Sequence, residues 1–216
     1  MKLSRKGAMA LLAEEGIVLR AYQCSADVWT IGAGHTAAAG PPVPKKGMTI
    51  TLEEALMLFR RDVEPFETQV KRAIKVPLEQ HEFDALVLFH FNTGAILSGS
   101  VDNKLNSGDR KGAMATFNQY VKVGKQRNIG LVNRRARETA MFERGEYFER
   151  AIMLEDLHGK RRNVMPASLP WPDDIPPPPD VEPPPALPPA PAPAPEAVGW
   201  LAALIKLLLS IFRRTP

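Results

Sequence analysis

Proline is concentrated in one stretch of this chain, and that stretch limits where a folded domain can lie. Of the 21 prolines, 15 lie between Pro166 and Pro195 and five precede residue 165. So much proline removes backbone donors and prevents a packed core, so residues 166–196 are predicted to be an extended, polyproline-type linker. The alternative is a docking segment for a proline-reading domain. The sequence therefore places the folded part of the chain before residue 166.

An apolar segment, residues 197–216, follows this linker. Between Ala197 and Phe212 the polar interruptions are Lys206 and Ser210, and a comfortable transmembrane helix needs ~20 apolar residues. Three interpretations stay open: a short or tilted membrane span, a cationic helix in the membrane interface, or a soluble helix that docks onto a protein. The first two predict a membrane partner for this C-terminal helix.

Charge is distributed as unevenly as proline. Residues 1–165 carry a formal charge of +6, residues 166–196 carry −5, and the last twenty carry +3. A basic folded part suits an anionic partner, either nucleic acid or a cell-wall polymer. The first sixteen residues lack the apolar run and cleavage site of a signal peptide, so the expected place of synthesis is the cytoplasm. If the C-terminal helix spans a membrane, Arg213 and Arg214 stay in the cytoplasm and the folded part faces the periplasm.

The first part of the chain changes from a helical to a strand pattern. Leu3, Ala8, Leu11 and Leu12 recur at helical spacing, and Ser4 and Gly16 are suited to begin and end that helix. Residues 17–36 are rich in strand-forming side chains and are interrupted by a Gln-Cys-Ser-Ala-Asp turn. A small antiparallel sheet is predicted there.

The rest of the folded part is predicted to be helical. Thr51 and Glu54 form a capping box before an apolar stripe. Residues 85–91 are apolar nearly all round, which predicts a central buried helix. Shorter helices follow, each ended by a glycine. The predicted fold class is α+β, mainly α.

Several kinds of site are excluded by their missing motifs. The chain has no zinc-ligand spacing, no phosphate-binding GxxxxGK loop and no GxSxG serine elbow, so no cofactor or metal is expected. The Arg134–Arg135 pair lacks the interleaved aromatics of single-strand binders. We therefore expect it on a solvated helix face, with no nucleic-acid partner. His35, just after a strand, is expected to pair with a carboxylate rather than to act in catalysis.

Glu15 is a candidate general acid. It stands at the predicted end of the first helix, before an amphipathic hairpin, where apolar neighbours can raise the pKa of a carboxyl group. Cleavage of a glycosidic bond needs such an acid and a second group that activates water or stabilises a cationic transition state. A solvated glutamate is the plain alternative, and the spacing by itself does not exclude it.

Three segments of the chain, in sequence order, resemble the catalytic, central and closing segments of one known family. Glu15-Gly16, Leu19-x-Ala21-Tyr22 and the run from Trp29 to Thr36 (WTIGAGHT) resemble the catalytic segment of phage-type lysozymes, the endolysin muramidases. The stretch FDALVLFHFNTG resembles their central helix, and GLVNRRARETAMF resembles their closing segment. The resemblance covers about residues 3–147 and extends neither to the proline-rich segment nor to the C-terminal helix.

The resemblance implies a fold and an activity. It implies a lysozyme-like two-lobed domain over residues 1–150, with 151–165 as its tail and a glycan cleft between the lobes. The implied reaction is hydrolysis of the β-1,4 bond between N-acetylmuramic acid and N-acetylglucosamine in bacterial peptidoglycan, during host lysis by a phage or prophage. By position, Glu15 corresponds to the general acid and Thr30 to the threonine that helps to hold the attacking water.

The chain departs from the family at Cys24, which stands where the family has its aspartate. A thiolate could act as base or nucleophile, whereas a neutral thiol could do neither. Asp27 could instead supply the carboxylate from the turn, or Glu15 and Thr30 could support a residual activity. The remaining alternative is a membrane-tethered, non-catalytic protein that binds peptidoglycan or acts as a scaffold on a muramidase fold.

Overall fold

Six α-helices and seven short strands make up the described part of the chain, which is residues 1–24, 27–98 and 100–171 of a computed structural model. The helices are α1 Arg5–Glu15, α2 Leu52–Ala73, α3 Gln80–Thr93, α4 Val101–Asn106, α5 Arg110–Phe117 and α6 Ile129–Arg144. The strands are β1 Ile17–Gln23, β2 Trp29–Gly32, β3 His35–Thr36, β4 Lys122–Val123, β5 Gln126–Arg127, β6 Ile152–Glu155 and β7 Arg161–Val164. The predicted fold class, α+β and mainly helical, is confirmed.

Helix α1 begins and ends where its capping residues predict. The Ser4 hydroxyl accepts a hydrogen bond from the Gly7 amide at 3.1 Å, which satisfies one free donor of the first turn. Gly16 ends the helix with φ at 73°, a conformation that favours glycine. A Cβ atom at Gly16 would also lie 2.9 Å from the Met153 methyl carbon. Both features place Glu15 at the junction between α1 and β1.

The predicted hairpin is present, but its sheet is larger than expected. Strands β1 and β2 pair antiparallel, with Tyr22 opposite Thr30, and the complete sheet has the order β3-β2-β1-β6-β7. The pair β1–β6 is parallel, with Ile17 opposite Leu154, so the prediction of an antiparallel sheet was wrong in this respect. Parallel neighbours need a long connection, and here nearly the whole domain lies between the two strands, which no local pattern reveals.

Residues 151–171 pack against the rest of the domain. In β6, Ile152 and Leu154 are buried, and β7 pairs with β6 as a hairpin. Beyond it, Leu169 and Trp171 are also buried, and the Arg5 guanidinium donates to the Leu169 carbonyl oxygen at 3.0 Å. The packed part therefore continues into the stretch predicted as a linker, because two large apolar side chains there gain more from burial than from solvation.

The remainder of the predicted linker and the C-terminal helix, 197–216, lie outside the described residues. Among the residues that are described, no helix is both long and apolar enough to cross a membrane.

Helix α3 is the centre of the core, as the apolar run predicts. Residues 82–92 are all buried, and the helix packs against α1, α2 and α6. The capping box of α2 is also confirmed: Thr51 Oγ1 accepts from the Glu54 amide at 3.1 Å, and Glu54 Oε2 accepts from the Thr51 amide at 2.7 Å. The core thus fixes α1 and α6 on the same central helix.

Candidate active site

Glu15 is the last residue of α1, and its side chain is only 3% exposed. Burial raises the pKa of this carboxyl group, and the neighbouring Arg134 guanidinium opposes that rise. The negative end of the α1 dipole also disfavours a charge at this position. Glu15 is therefore a carboxyl group whose protonated form is favoured by its surroundings.

Arg134, on α6, is the direct partner of Glu15. Its Nη1 donates to Glu15 Oε1 at 2.9 Å, and its Nε donates to Glu138 Oε1 at 3.0 Å. Arg135 donates from Nη2 to Glu138 Oε1 at 2.7 Å and to Asn92 Oδ1 at 2.9 Å. All four charged side chains are nearly or fully buried.

The prediction of a solvated face for Arg134 and Arg135 was therefore wrong. Helix α6 docks on α3, and the two guanidinium groups are accepted in the interior because Glu15 and Glu138 balance them. One sequence signal was available, since Glu138 follows the two arginines at i+4 and i+3, the spacing at which helical side chains meet. Sequence reasoning gave Glu138 and Asn92 no role.

Thr30 lies on β2 with no exposed surface. Its hydroxyl donates to the Val28 carbonyl oxygen at 3.1 Å. Because a hydroxyl has one proton, the lone pairs of Thr30 Oγ1 are left to accept a hydrogen bond from another donor. This is the orientation that a residue needs in order to hold a water molecule by one of its protons.

Cys24 follows β1 and is buried, with 5% of its surface exposed. Its backbone amide donates to the Val28 carbonyl oxygen at 3.0 Å, and its carbonyl oxygen accepts from the Asp27 amide at 2.9 Å. Asp27 itself is exposed, at the tip of the hairpin, with φ at 57°. The turn therefore buries the cysteine and leaves the aspartate in solvent.

Tyr22 lies near the end of β1, and the pKa of its hydroxyl is raised. Burial raises the pKa of the Tyr22 hydroxyl, and negative charge on Cys24, Glu15 and Glu155 raises it further. Tyr22 lies two residues before Cys24 along the chain. Thr30 is the partner of Tyr22 across the hairpin. The hairpin thus carries two of the residues that the sequence predicts for catalysis, Cys24 and Thr30, and the third, Glu15, ends α1 two residues before its first strand.

His35 is structural, as expected. Its Nδ1 lies 2.7 Å from Asp62 Oδ2, its Nε2 lies 2.8 Å from the Pro42 carbonyl oxygen, and its side chain is 1% exposed. Burial by itself lowers the pKa of His35, but the hydrogen bonds to Asp62 and Pro42 and the charge of Asp62 together raise it. The imidazole connects β3 to α2, and both of its nitrogens are occupied by these hydrogen bonds.

Comparison with known proteins shows the family of this chain. A model of the phage lysozyme family matches residues 13–138, so the chain belongs to the phage lysozymes. It is 38% identical over 149 residues to the endolysin of Acyrthosiphon pisum secondary endosymbiont phage 1, covering 66% of this chain and 99% of that protein. The solved endolysin of Escherichia coli O157:H7 phage FAHEc1 superposes with a TM-score of 0.63 at 38% identity, covering 68% of this chain and 97% of the other.

A more distant relative carries a different name. The SAR-endolysin of Escherichia phage Mu is 32% identical over 135 residues, which is 62% of this chain and 76% of that protein. The family resemblance predicted from the three motifs is therefore confirmed, and the matched region contains Glu15, Cys24, Thr30 and Arg134.

The His35–Asp62 contact predicts a pH-dependent stability. Because the folded pKa of His35 is raised, its contribution is complete below the unfolded value of 6.5 and is lost as pH rises through the folded value. We expect His35→Gln to lower the free energy of unfolding by about 1.5–3 kcal/mol at acidic pH, and by less in alkaline solution. Urea unfolding of both proteins at pH 5 and pH 9 measures this, and an equal difference at both pH values would contradict it.

Proposed function

We propose that this chain cleaves the β-1,4 bond between N-acetylmuramic acid and N-acetylglucosamine in peptidoglycan, with Glu15 as general acid. As a phage lysozyme, the chain is a peptidoglycan hydrolase of phage-mediated host lysis; the bond and the residues are the further proposal. The observation that carries it is the buried Glu15 carboxyl group, held by Arg134 beside a hairpin that also bears Cys24 and Thr30.

The proposed acid step depends on the state of Glu15. A general acid works best when its pKa lies near the working pH, and burial moves the pKa of Glu15 upward towards that range. The protonated carboxyl group would donate to the glycosidic oxygen as the bond to the leaving sugar breaks. Arg134 would then stabilise the carboxylate that remains.

Thr30 is proposed to place the water. Its hydroxyl proton is already donated to the Val28 carbonyl oxygen, so Thr30 Oγ1 can accept a hydrogen bond from the attacking water and orient the water's lone pair towards the sugar. Because Thr30 is fully buried in the sheet, its position is set by the hairpin rather than by solvent.

Cys24 is proposed as the second catalytic group. It is buried, whereas Asp27, the alternative, is exposed at the tip of the turn. As a thiolate it would stabilise the cationic transition state or take a proton from the water. A neutral thiol would supply neither effect, so this role requires the ionised form.

Family membership favours a hydrolase over the membrane-tethered, non-catalytic protein that the sequence left open. The buried Glu15–Arg134 pair supports the same choice, since a glycan-binding surface has no need of a buried carboxyl group with a raised pKa.

The C-terminal segment, residues 197–216, is proposed to contact a membrane. It lies outside the described residues, and the proposal rests on its apolar sequence from Ala197 to Phe212. A relative named a SAR-endolysin lends support to membrane association. We propose that the protein is made in the host cytoplasm, that this segment anchors it to the inner membrane through the proline-rich linker, and that the folded domain acts on the periplasmic wall.

Glu15→Gln tests the hydrolase. Because the amide of glutamine is too weak an acid to protonate the glycosidic oxygen, we expect the rate of reducing-sugar release from purified peptidoglycan to fall by roughly 10²–10⁴-fold. Glu53→Gln, an exposed position on α2, is the matched control and should retain full activity. If wild type and Glu15→Gln both stay at background, the proposed hydrolysis is wrong.

Three variants apportion the second role. We expect Cys24→Ser to lose about 10²-fold or more in rate, since a hydroxyl does not ionise as a thiol does. Cys24→Asp should retain activity because a carboxylate supplies the same charge, and Asp27→Asn should have little effect. A harmless Cys24→Ser together with an inactive Asp27→Asn would assign the role to Asp27 instead.

Cell fractionation tests the membrane segment. The full chain should sediment with the membrane fraction, and a chain ending at Pro195 should stay in the soluble fraction. Retention of the shortened chain by membranes would place the contact elsewhere in the protein.

A further inference from the structure

We propose that Glu138 is a positioning residue for the general acid and acts on Glu15 through Arg134. The inference rests on the proposed role of Glu15. It concerns a side chain with no exposed surface on α6, which lies behind Arg134 as seen from Glu15.

Arg134 is held between two carboxylates. Its Nη1 donates to Glu15 at 2.9 Å and its Nε donates to Glu138 at 3.0 Å, so the two bonds leave from different nitrogens of one planar group. Two such anchors fix the guanidinium plane. Nη2 of Arg134 is buried and has no hydrogen-bond partner among the described residues, so no third bond there would keep the plane in place without Glu138.

Glu138 is itself anchored to the central helix. Its Oε1 also accepts from Arg135 Nη2 at 2.7 Å, and that nitrogen donates to Asn92 Oδ1 on α3 at 2.9 Å. The Arg135 guanidinium lies 5.2 Å from the ring centre of Phe89. The chain of contacts therefore runs from α3 through Arg135, Glu138 and Arg134 to Glu15 at the end of α1.

The charges of this cluster show what Glu138 changes. With both carboxylates ionised the two arginines are balanced, and protonation of Glu15 leaves the buried cluster with one excess positive charge. Without the negative charge of Glu138, protonation of Glu15 would leave the cluster with two excess positive charges. Since an uncompensated buried charge is costly, Glu138 makes the protonated, catalytic form of Glu15 easier to reach.

Other charged groups face Glu15, and they act in known directions. Burial raises the pKa of Glu15, Arg134 lowers it, and the negative charges of Glu14 and Glu138 raise it. On the hairpin, the negative charge of Glu15 raises the pKa of Tyr22. The charge of Glu14 is already paired, with Arg137 at 2.6 Å and Arg150 at 3.6 Å. Glu138, in contrast, shares a hydrogen-bond partner with Glu15, because Arg134 donates to both carboxylates.

Glu138→Gln in the full chain is the first test, because it removes the charge and keeps the shape. The acid must be protonated to work, so the alkaline limb of the kcat/KM profile should move to lower pH. On the order of a 10-fold loss is expected at neutral pH, mostly in kcat. Glu143→Gln, a half-exposed position on the same helix, should leave the profile unchanged.

Arg135→Met is the second test and predicts the opposite sign. Removing the positive charge of Arg135 leaves the negative charge of Glu138 unopposed by it. The pKa of Glu15 should therefore rise, and the alkaline limb should move to higher pH. A purely structural role would lower activity by one factor at every pH in both variants, and that result overturns the inference. Circular dichroism and thermal melting identify a variant that does not fold, in which case the other variant decides.

A direct titration separates this inference from the proposed function. The carbon-13 shift of the Glu15 carboxyl group, followed against pH, should titrate at lower pH in Glu138→Gln than in wild type. This readout does not need turnover, so it still tests Glu138 if wild type releases no sugar. Unchanged titration in an active, folded Glu138→Gln protein would refute the positioning role and leave the hydrolase intact.

Discussion

The buried ion pair between Arg134 and Glu15 joins two helices that lie at opposite ends of the folded chain, and the candidate site is built around it. Removing two such charges from water costs several kcal/mol for each ion, so the pair persists only where further partners compensate. Glu138 and Asn92 are those partners, and they connect the pair to the central helix α3. The acid of the proposed reaction is thereby attached to the central buried helix of the core.

The hairpin supplies the other half of the site. Its turn buries Cys24 and exposes Asp27, while Tyr22 and Thr30 lie opposite each other in the paired strands β1 and β2. On the other edge of β1, the strand β6 packs Met153 against Gly16, directly beside the acid. The residues beyond the family match therefore support β1, the strand that lies between Glu15 and Cys24, and the packed chain continues to Trp171.

Features that depend on neighbours in sequence could be predicted, and those that depend on distant partners could not. Ser4, the Thr51–Glu54 box and Gly16 act within one turn of a helix, so their residue types were sufficient. The carboxylate partner expected for His35 was present as Asp62, although the sequence did not say which acid it would be. The burial of Arg134 and Arg135 and the parallel pairing of β1 with β6 were missed, because each depends on contacts made far along the chain.

The sequence by itself determined the family, the first hairpin and the ends of the helices, and it led to the proposal of Glu15, Cys24 and Thr30 as site residues, because motif spacing and capping chemistry are local. Only the tertiary structure decided the state of those residues. The pKa of Glu15 is raised because burial desolvates the carboxyl group, and the proposal of Cys24 over Asp27 rests on the turn burying Cys24 and exposing Asp27. Burial and charge balance are sums over elements distant in sequence, and they exist only once the chain has folded.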